Sequence, residues 1–262
     1  MEKISKAQVK MVRSLQQKKF RDETGLFVAE GEKCVEELRK AFDLEWLVVE
    51  DSSLDNQSVF CQAKPVCILS AKRSEIEQMS GLRTPQGVIG VFKKRNDAND
   101  LNDANDGLIV ALDGIQDPGN LGTIIRTCDW FGIHDIVCSK DTADCYNPKV
   151  VQATMGALAR VRVHYTDLYA WLTSQQRPIY GTLLEGEDMY EVLQSSINRT
   201  SSIVQSSIII MGNEGNGISP EVRKLITCPI RIPSYPKNAE TSESLNVSIA
   251  TAIVLAEFRR PR

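Results

Sequence analysis

Three segments of the chain place polar side chains beside glycines, a combination that suits ligand binding or catalysis. The first segment runs from Asp113 to Arg126 and joins the end of an apolar run to the start of a predicted helix. We expect Asn120 to cap that helix, and Gly119 and Gly122 allow another backbone or a ligand to come close. Arg126 lies six positions after Asn120, so the two side chains need not point the same way. A capped helix with a surface arginine would also explain this segment taken alone.

The second segment, Ile210–Pro220, has three glycines within six residues, at positions 212, 215 and 217. Their spacing is G-x-x-G-x-G, whereas dinucleotide-binding loops have G-x-G-x-x-G. The motif G-x-x-x-x-G-K-[ST] of nucleoside-triphosphate sites does not occur in the sequence. The pattern therefore argues against both kinds of nucleotide site. It leaves the carboxylate of Glu214 unshielded by its glycine neighbours and available for polar contacts.

The third segment consists of Ile230–Pro233, a polar stretch, and Ser242–Ala250. Ser244 is expected to cap a closing helix, with Glu243 and Asn246 near the positive end of that helix. A capped helix accounts for the serine. It does not account for Asn246, a poor helix former, inside the first turn.

The composition is that of a soluble globular protein, with 262 residues of which 42% are hydrophobic and 25% charged. No apolar run approaches the length that crosses a bilayer, and the polar start Met1–Lys6 lacks the core of a signal peptide. We therefore expect a cytoplasmic protein.

The cysteines indicate neither a metal site nor a disulfide framework. They are odd in number, form no C-x-x-C pair, and are accompanied by two histidines only, His134 and His164. The pattern predicts reduced, mostly buried thiols. The seven cysteines are Cys34, Cys61, Cys67, Cys128, Cys138, Cys145 and Cys228.

The N-terminal segment is basic, although the net charge of the whole chain is −3. From Met1 to Arg21 seven basic residues face one acid, Glu2, which gives a local charge of +6. This segment is either a solvated amphipathic helix or a surface that contacts phosphates. Charge alone leaves both interpretations open.

An Asn/Asp-rich stretch divides the chain. Residues Arg95–Asp106 read RNDANDLNDAND, and eight of the twelve are Asn or Asp, which favour turns. We predict a flexible linker there. Before it, the pattern predicts a small α/β unit with helices over Val9–Gln17 and Glu32–Ala41 and strands over Leu26–Ala29, Trp46–Val49 and Val88–Phe92.

After the linker, apolar strands alternate with helices, which predicts an α/β domain with a mostly parallel sheet covered on both faces. Ligands of such sheets gather at the carboxyl ends of the strands, where the three segments begin. The predicted strands are Leu108–Leu112, Ile136–Cys138, Ile179–Leu184, Ser207–Met211 and Pro229–Ile232, and the predicted helices are Asn120–Phe131, Val150–Ala159, Pro220–Ile226 and Leu245–Arg259.

Taken together, the three segments resemble the motifs of the SpoU (TrmH-like) family in the SPOUT superfamily of RNA 2′-O-ribose methyltransferases. The matching elements are N-x-G-x-I-x-R at Asn120–Arg126, G-N-E-G-x-G at Gly212–Gly217, and I-P…S-L-N-V-S at Ile232–Ser248. The N-terminal unit resembles the substrate-binding domain of that family through Gly25–Gly31 and Thr84–Gly87. One departure is the loop Ser234–Glu243, whose ten residues exceed the usual length.

The resemblance implies a domain order of 1–95 for RNA binding, similar to ribosomal RNA-binding proteins, 96–106 for the linker, and 107–262 for a methyltransferase domain. This last domain would contain a deep trefoil knot and form a homodimer. The implied reaction moves a methyl group from S-adenosylmethionine to a ribose 2′-hydroxyl of tRNA or rRNA, without a metal. A catalytically silent RNA-binding protein that kept the fold is the alternative, and a nucleotide-dependent dehydrogenase is a more distant one.

The resemblance also implies the site residues. The catalytic set would be Asn120, Arg126, Glu214, Ser244 and Asn246. The cofactor would bind among Leu183, Gly212, Gly217, Ile232 and Leu245, where glycines leave space for adenine. Arg126 would grip RNA phosphate and ease formation of an alkoxide, or act as a general base.

Overall fold

The structure, a computed structural model, describes residues 2–52, 67–95, 107–197, 206–236 and 244–260. The chain folds into two compact units. One comprises the described residues up to 95 together with Asp144–Arg160, and we call it the N-terminal unit. The other, the C-terminal unit, comprises residues 107–143 and those from Val161 onward. The predicted linker 96–106 lies outside the described residues, and the predicted domain boundaries stay a prediction.

Helices and strands alternate along most of the chain. In order they are β1 (Glu2–Lys3), α1 (Lys6–Ser14), α2 (Lys18–Thr24), β2 (Leu26–Glu30), α3 (Glu32–Leu38), β3 (Leu44–Glu50), β4 (Cys67–Ala71), α4 (Arg73–Met79), β5 (Val88–Lys93), β6 (Ile109–Asp113), α5 (Pro118–Trp130), β7 (Asp135–Ser139), α6 (Pro148–Thr154), a 3-10 turn (Ala157–Ala159), β8 (Arg162–Thr166), α7 (Leu168–Thr173), β9 (Ile179–Asp188), α8 (Met189–Ile197), β10 (Ile208–Gly212), α9 (Pro220–Arg223), β11 (Cys228–Arg231) and α10 (Val247–Phe258).

The N-terminal unit is built on a five-stranded mixed sheet in the order β1-β4-β3-β5-β2. Strands β1, β4 and β3 run parallel, whereas β5 is antiparallel to both β3 and β2. Helix α1 begins with a capping box, in which the Ser5 hydroxyl accepts from the Gln8 N–H and the Gln8 side chain accepts from the Ser5 N–H. Its residues Val9 and Val12 pack into the core. The predicted helices and strands of this unit are confirmed with shifted ends, whereas β1, β4, α2 and α4 were not predicted.

The C-terminal unit contains a six-stranded sheet in the order β11-β9-β10-β6-β7-β8, and every neighbouring pair is parallel. Helices α7 and α9 cover one face, where Val137, Ile208 and Ile210 pack against Leu168 and Val222. Helices α5 and α10 pack against each other. The predicted parallel sheet and α/β class are confirmed. The predicted helix Val150–Ala159 is wrong in its end, because Met155 and Gly156 adopt left-handed conformations that stop α6 at Thr154.

None of the described helices is long and apolar enough to cross a membrane. Part of the loop Ser234–Glu243 lies outside the described residues, since these stop at 236 and resume at 244. The trefoil knot therefore stays a prediction.

Candidate active site

The carboxyl ends of neighbouring strands bring the three sequence segments to one edge of the parallel sheet. Asp113 ends β6 and Gly212 ends β10, and these two residues are register partners. Strands β9 and β11 lie on the other side of β10, and Ile232 directly follows β11. The parallel topology therefore places the three segments at the carboxyl ends of the strands, as predicted.

A chain of side-chain hydrogen bonds joins all three segments at this edge. The Nδ2 of Asn246 donates to the Oδ1 of Asn120 over 3.0 Å. The Nδ2 of Asn120 in turn donates to the Oε1 of Glu214 over 2.9 Å. Three of the five predicted catalytic residues thus contact one another, although they lie up to 126 positions apart in sequence.

The helix caps differ from the predicted ones. Asp117 caps α5 by accepting a hydrogen bond from the Asn120 N–H at 2.8 Å, so the prediction that Asn120 is the cap is wrong. Pro118 occupies the first helical turn, where its missing N–H has no cost, and this fixes the start of the helix before Asn120. The side chain of Asn120 is consequently free of capping and faces Glu214.

Asn246, not Ser244, caps the closing helix α10. Its Oδ1 accepts from the N–H groups of Ser248 at 3.0 Å and Ile249 at 3.3 Å. The helix therefore starts at Val247 instead of Leu245. Asparagine is among the preferred cap residues, which explains its presence where the sequence pattern suggested a helix interior.

Asn213 organises the glycine-rich loop. Its Nδ2 donates to the Gly114 carbonyl at 2.6 Å, and its Oδ1 accepts from the N–H groups of Gly215 at 2.9 Å and Asn216 at 3.0 Å. Its backbone pairs with Gly217 in both directions. Asn213 is not among the predicted site residues, yet an asparagine between glycines after a strand is a turn signal.

Asp113 is a second supporting residue that the sequence analysis passed over. Its buried carboxylate accepts from the Ser219 N–H at 2.7 Å and so ties the far end of the same loop to β6. Gly114, with φ of +71°, turns the chain after β6 and donates to the Ser139 hydroxyl at 2.8 Å. The loop that carries Glu214 is therefore held by hydrogen bonds at both of its ends.

The predicted cofactor residues lie around this edge. Leu183 of β9 and Ile232 after β11 are half-buried, and Leu245 directly precedes the cap residue Asn246. Leu245 is 49% exposed, so about half of this apolar residue is accessible to solvent. Leu183 also packs against the apolar core below the sheet edge.

For Gly212, the expectation that glycine leaves space for adenine is wrong. A Cβ at Gly212 would lie 2.4 Å from the backbone of Gly217 and of Ile218, so the loop itself requires this glycine. Gly217 has φ of +67°, and no described atom lies within 4 Å of where its Cβ would be. Open space is therefore present at Gly217 and not at Gly212.

Arg126 and Ser244 are not part of the hydrogen-bonded chain. Both side chains are exposed, and among the described residues neither has an ion pair or a side-chain hydrogen bond. Six residues of helix rotate Arg126 by about 120° away from Asn120 around the axis of α5. Their catalytic roles stay predictions.

Two of the buried thiols, those of Cys128 and Cys34, are poor nucleophiles. Burial raises the pKa of the Cys128 thiol on α5 far above its ordinary value, and the charge of Asp129 adds to this. In the N-terminal unit, burial raises the pKa of Cys34 to about 11, although a hydrogen bond from the Gly156 backbone opposes the rise. Both groups remain protonated at neutral pH. Within the described ranges, no three His, Cys, Asp or Glu side chains are grouped so that they could hold a metal ion.

Comparisons with known proteins identify the family of the chain. The model of the SpoU rRNA Methylase family matches residues 107–256, and that of the MRM3-like substrate binding domain matches residues 6–90. A curated relative from Bacillus subtilis, the 23S rRNA (guanosine(2553)-2′-O)-methyltransferase RlmP, is 28% identical and covers 98% of both chains.

Solved structures show the same fold over nearly the whole chain. A TrmH family protein from Porphyromonas gingivalis is 37% identical, with a TM-score of 0.83 and 98% of each chain covered. An AdoMet-bound rRNA methyltransferase from Sinorhizobium meliloti is 30% identical, with a TM-score of 0.81, 99% of this chain and 97% of that chain covered. The predicted family, enzyme class and cofactor are confirmed: the chain belongs to the SpoU rRNA Methylase family and is an RNA methyltransferase that uses S-adenosylmethionine.

Proposed function

We propose that this protein transfers a methyl group from S-adenosylmethionine to a ribose 2′-hydroxyl of ribosomal RNA. The observation that carries the proposal is the hydrogen-bonded chain Asn246–Asn120–Glu214 at the carboxyl edge of the sheet. The name of the Bacillus subtilis relative, which specifies a guanosine 2′-O position of 23S rRNA, supports ribose as the target and rRNA over tRNA. The cytoplasmic location stays a prediction.

The residues present fit the cofactor. Leu183 within β9 and Ile232 directly after β11 are half-buried, and the half-exposed Leu245 offers further apolar surface. These side chains would hold the adenosine part and exclude water, while the backbone around Gly217 leaves space for it. When bound, the cofactor supplies a methyl group on a sulfonium, which is a good leaving group. The protein must therefore bind, orient and assist deprotonation, and no metal is needed for this.

The polar chain would position the ribose. Asn120 donates to one oxygen of Glu214 and thereby orients the carboxylate, whose other oxygen can accept the hydrogen bond of the 2′-hydroxyl. Asn246 holds the amide of Asn120 in the orientation that allows this donation, because Asn120 accepts from it through Oδ1. Preorganised groups of this kind lower the barrier since they need no rearrangement during the reaction.

Arg126 would act on the RNA. Its exposed guanidinium lies on α5 and can grip a phosphate in two places, and its positive charge lowers the cost of forming an alkoxide. A role as general base comes second, because a guanidinium is normally protonated. Ser244, exposed two residues before the cap Asn246, would contact the substrate from the other side.

We further propose that two copies of the chain pair through α5 and α10. The two helices lie side by side, with Asn246 bonded to Asn120 at one end and Arg259 to the Phe131 carbonyl at the other. Helix α10 is rich in apolar residues, and its Ile249 is 54% exposed. Trp130 at the end of α5 is 85% exposed. Apolar residues on an otherwise uncovered helix pair suit an interface with a second copy.

Titration calorimetry with S-adenosylmethionine, followed by a methyl-transfer assay on ribosomal RNA, tests the proposed function. We expect binding that a chelator does not abolish, together with transfer of the methyl group to RNA. RNA binding without cofactor binding would instead identify a silent RNA-binding protein that kept the fold. Cofactor affinity that vanishes with a chelator and returns with a divalent ion would contradict a metal-independent site.

A further inference from the structure

The start of the N-terminal unit has a basic helix face. Lys6, Lys10 and Arg13 are exposed on α1, and no acidic residue occurs in this helix. At 100° per residue, the three side chains fall within a sector of about 60° around the helix axis. The adjoining side of the helix buries Val9 and Val12. The face is therefore fixed in orientation by the core, and it extends over about two turns.

The basic residues of this face have no acidic partner among the described residues, unlike most others in the same unit. Eight other basic residues of the N-terminal unit form ion pairs: Lys19 with Glu23, Arg21 with Asp144, Arg39 with Glu36, Lys40 and Arg160 with Glu37, Arg73 with Glu50 and Glu77, Lys93 with Glu45, and Lys94 with Asp22. Lys3, in the short strand before α1, is exposed and likewise forms no described ion pair. Lys3, Lys6, Lys10 and Arg13 thus form a run of cations without described ion pairs along β1 and α1, a segment whose single acid is Glu2.

We propose that the face formed by Lys6, Lys10 and Arg13 binds the phosphate backbone of the RNA substrate. The inference rests on the proposed function, and it assigns RNA-backbone binding to one helix face of the N-terminal unit. Each cation that neutralises a phosphate releases a condensed counterion, so the face contributes affinity without reading sequence. It thereby holds the RNA while a different part of the substrate enters the site around Asn120.

The features of this face favour RNA over other polyanions. A helix that binds an anionic membrane needs exposed apolar residues beside its cations, whereas here the apolar residues Val9 and Val12 are in the core. A stable protein interface needs an apolar centre. The large hydrophobic residues that are exposed in the described structure all lie beyond residue 95.

A triple variant, Lys6→Gln, Lys10→Gln and Arg13→Gln, tests the inference in the full-length protein. Its affinity for protein-free large ribosomal RNA is measured over a range of salt concentrations. We expect weaker binding, and a plot of log affinity against log salt whose slope is shallower by about 2 to 3, at about 0.7 to 0.9 for each phosphate that is no longer neutralised. Affinity for S-adenosylmethionine and the melting temperature should stay those of the wild type, because the three side chains are exposed.

The matched control removes the same charge from the same unit where it is already paired. Lys19, Lys40 and Lys93 are exposed and each lies beside a glutamate, so Lys19→Gln, Lys40→Gln and Lys93→Gln should change the slope by less than about 1. Equal slopes for the two triple variants would overturn the inference. So would unchanged RNA binding by the first variant combined with lost binding to phosphatidylserine vesicles, which would identify a membrane surface. A wild-type protein that binds RNA through this face but transfers no methyl group would refute the proposed function alone.

Discussion

At the scale of single residues, the site depends on an amide at position 120. Asn120 accepts from Asn246 and donates to Glu214 at the same time, which neither a carboxylate nor an alkyl side chain can do. The motif predicts this residue as part of the catalytic set, which stays a prediction, whereas the predicted capping role belongs to Asp117. Asp117 and Asn120 both carry oxygens that suit a cap, and Pro118 between them was the signal that distinguishes the two.

Arg126 offers the sharpest test at this scale. Arg126→Ala should nearly abolish methyl transfer, whereas cofactor affinity and melting temperature should stay close to those of the wild type, since the side chain is exposed and outside the cofactor residues. Arg126→Lys should restore little activity, because an ammonium cannot grip a phosphate through two parallel hydrogen bonds. A methyl-transfer assay and a thermal melt on the same preparation decide this. Full activity, or a collapsed melting temperature, would exclude the proposed role.

At the scale of elements, the beginnings of helices α5 and α10 determine the site. Asn246 caps α10 with its Oδ1 and reaches Asn120 with its Nδ2, so one side chain sets both the helix start and the hydrogen bond to the site. Spacing of apolar residues predicted both helices, and the predicted ends were off by one or two residues. The exact start of each helix determines which side chain caps it and which one faces Glu214. Helical periodicity does not fix that start.

Substitution of Asn246 can separate its two roles. Asn246→Asp keeps an oxygen that caps the helix but loses the donor to Asn120, so stability should remain near that of the wild type while methyl transfer falls. Asn246→Ala loses both, and should in addition lower the free energy of unfolding by about 1 kcal/mol. Urea unfolding and initial rates measure the two effects. Equal activity in Asn246→Asp and the wild type would show that the bond to Asn120 is dispensable.

Strand β8 shows what the hydrophobic pattern missed. Its sequence Arg162–Thr166 contains alternating polar residues, and it forms the outer edge of the sheet beside β7. Asp135 at the start of β7 accepts from both Arg162 at 2.8 Å and from the buried His164 at 2.9 Å. These polar residues interrupt the apolar pattern that would predict a strand, and their side chains bond β8 to β7.

This cluster predicts a pH dependence of stability. Burial raises the pKa of Asp135, but the hydrogen bonds from His164 and Arg162 outweigh burial and hold the pKa below its ordinary value. A carboxylate with a lowered pKa contributes stability above the pKa of the unfolded chain, near 4, and loses it as pH falls further. Asp135→Asn should therefore destabilise most at neutral pH, and the difference from the wild type should shrink below about pH 4. Urea unfolding at both pH values measures it, and a difference that grows in acid would contradict the account.

At the scale of the whole molecule, the two units are not consecutive stretches of sequence. Asp144–Arg160 belongs to the N-terminal unit, where α6 packs against β2 and the Arg95 guanidinium donates to the Leu158 and Ala159 carbonyls. The fold class and the parallel sheet are predictable from the sequence because they follow local patterns. The place of this segment is not, because it depends on partners more than 50 residues away.

Because the N-terminal unit is discontinuous in sequence, deletion of residues 1–95 is not a clean test of RNA binding. If residues 1–95 bind RNA, as the resemblance implies, deletion of Met1–Arg95 should weaken RNA binding and spare cofactor binding. The deletion would also remove β2 and α3, against which the segment Asp144–Arg160 packs, and would expose Val150 and Val151. The surface variants of α1 avoid this problem, because they leave the core intact.

Arg21 should stabilise this segment strongly. It is 1% exposed, donates to the Leu15 and Gln16 carbonyls, and pairs with Asp144 at 2.7 Å. Arg21→Met would leave the Asp144 carboxylate without its partner, and should lower the free energy of unfolding by about 3 to 5 kcal/mol. Lys40→Ala, which breaks an exposed pair with Glu37, is the control and should cost no more than about 1 kcal/mol. Similar decreases in the free energy of unfolding for the two variants would show that the buried pair contributes no more stability than the exposed one.

The position of the transferred methyl group tests the central claim most directly. Ribosomal RNA from cells that lack the gene is incubated with the purified protein and methyl-labelled S-adenosylmethionine, then digested to nucleosides and identified by mass spectrometry. The account predicts label in 2′-O-methyl nucleosides, and a rate about 10- to 100-fold lower for Asn120→Asp, which cannot donate to Glu214. Label on a base, or an undiminished rate in Asn120→Asp, would contradict a ribose methyltransferase built on the chain Asn246–Asn120–Glu214.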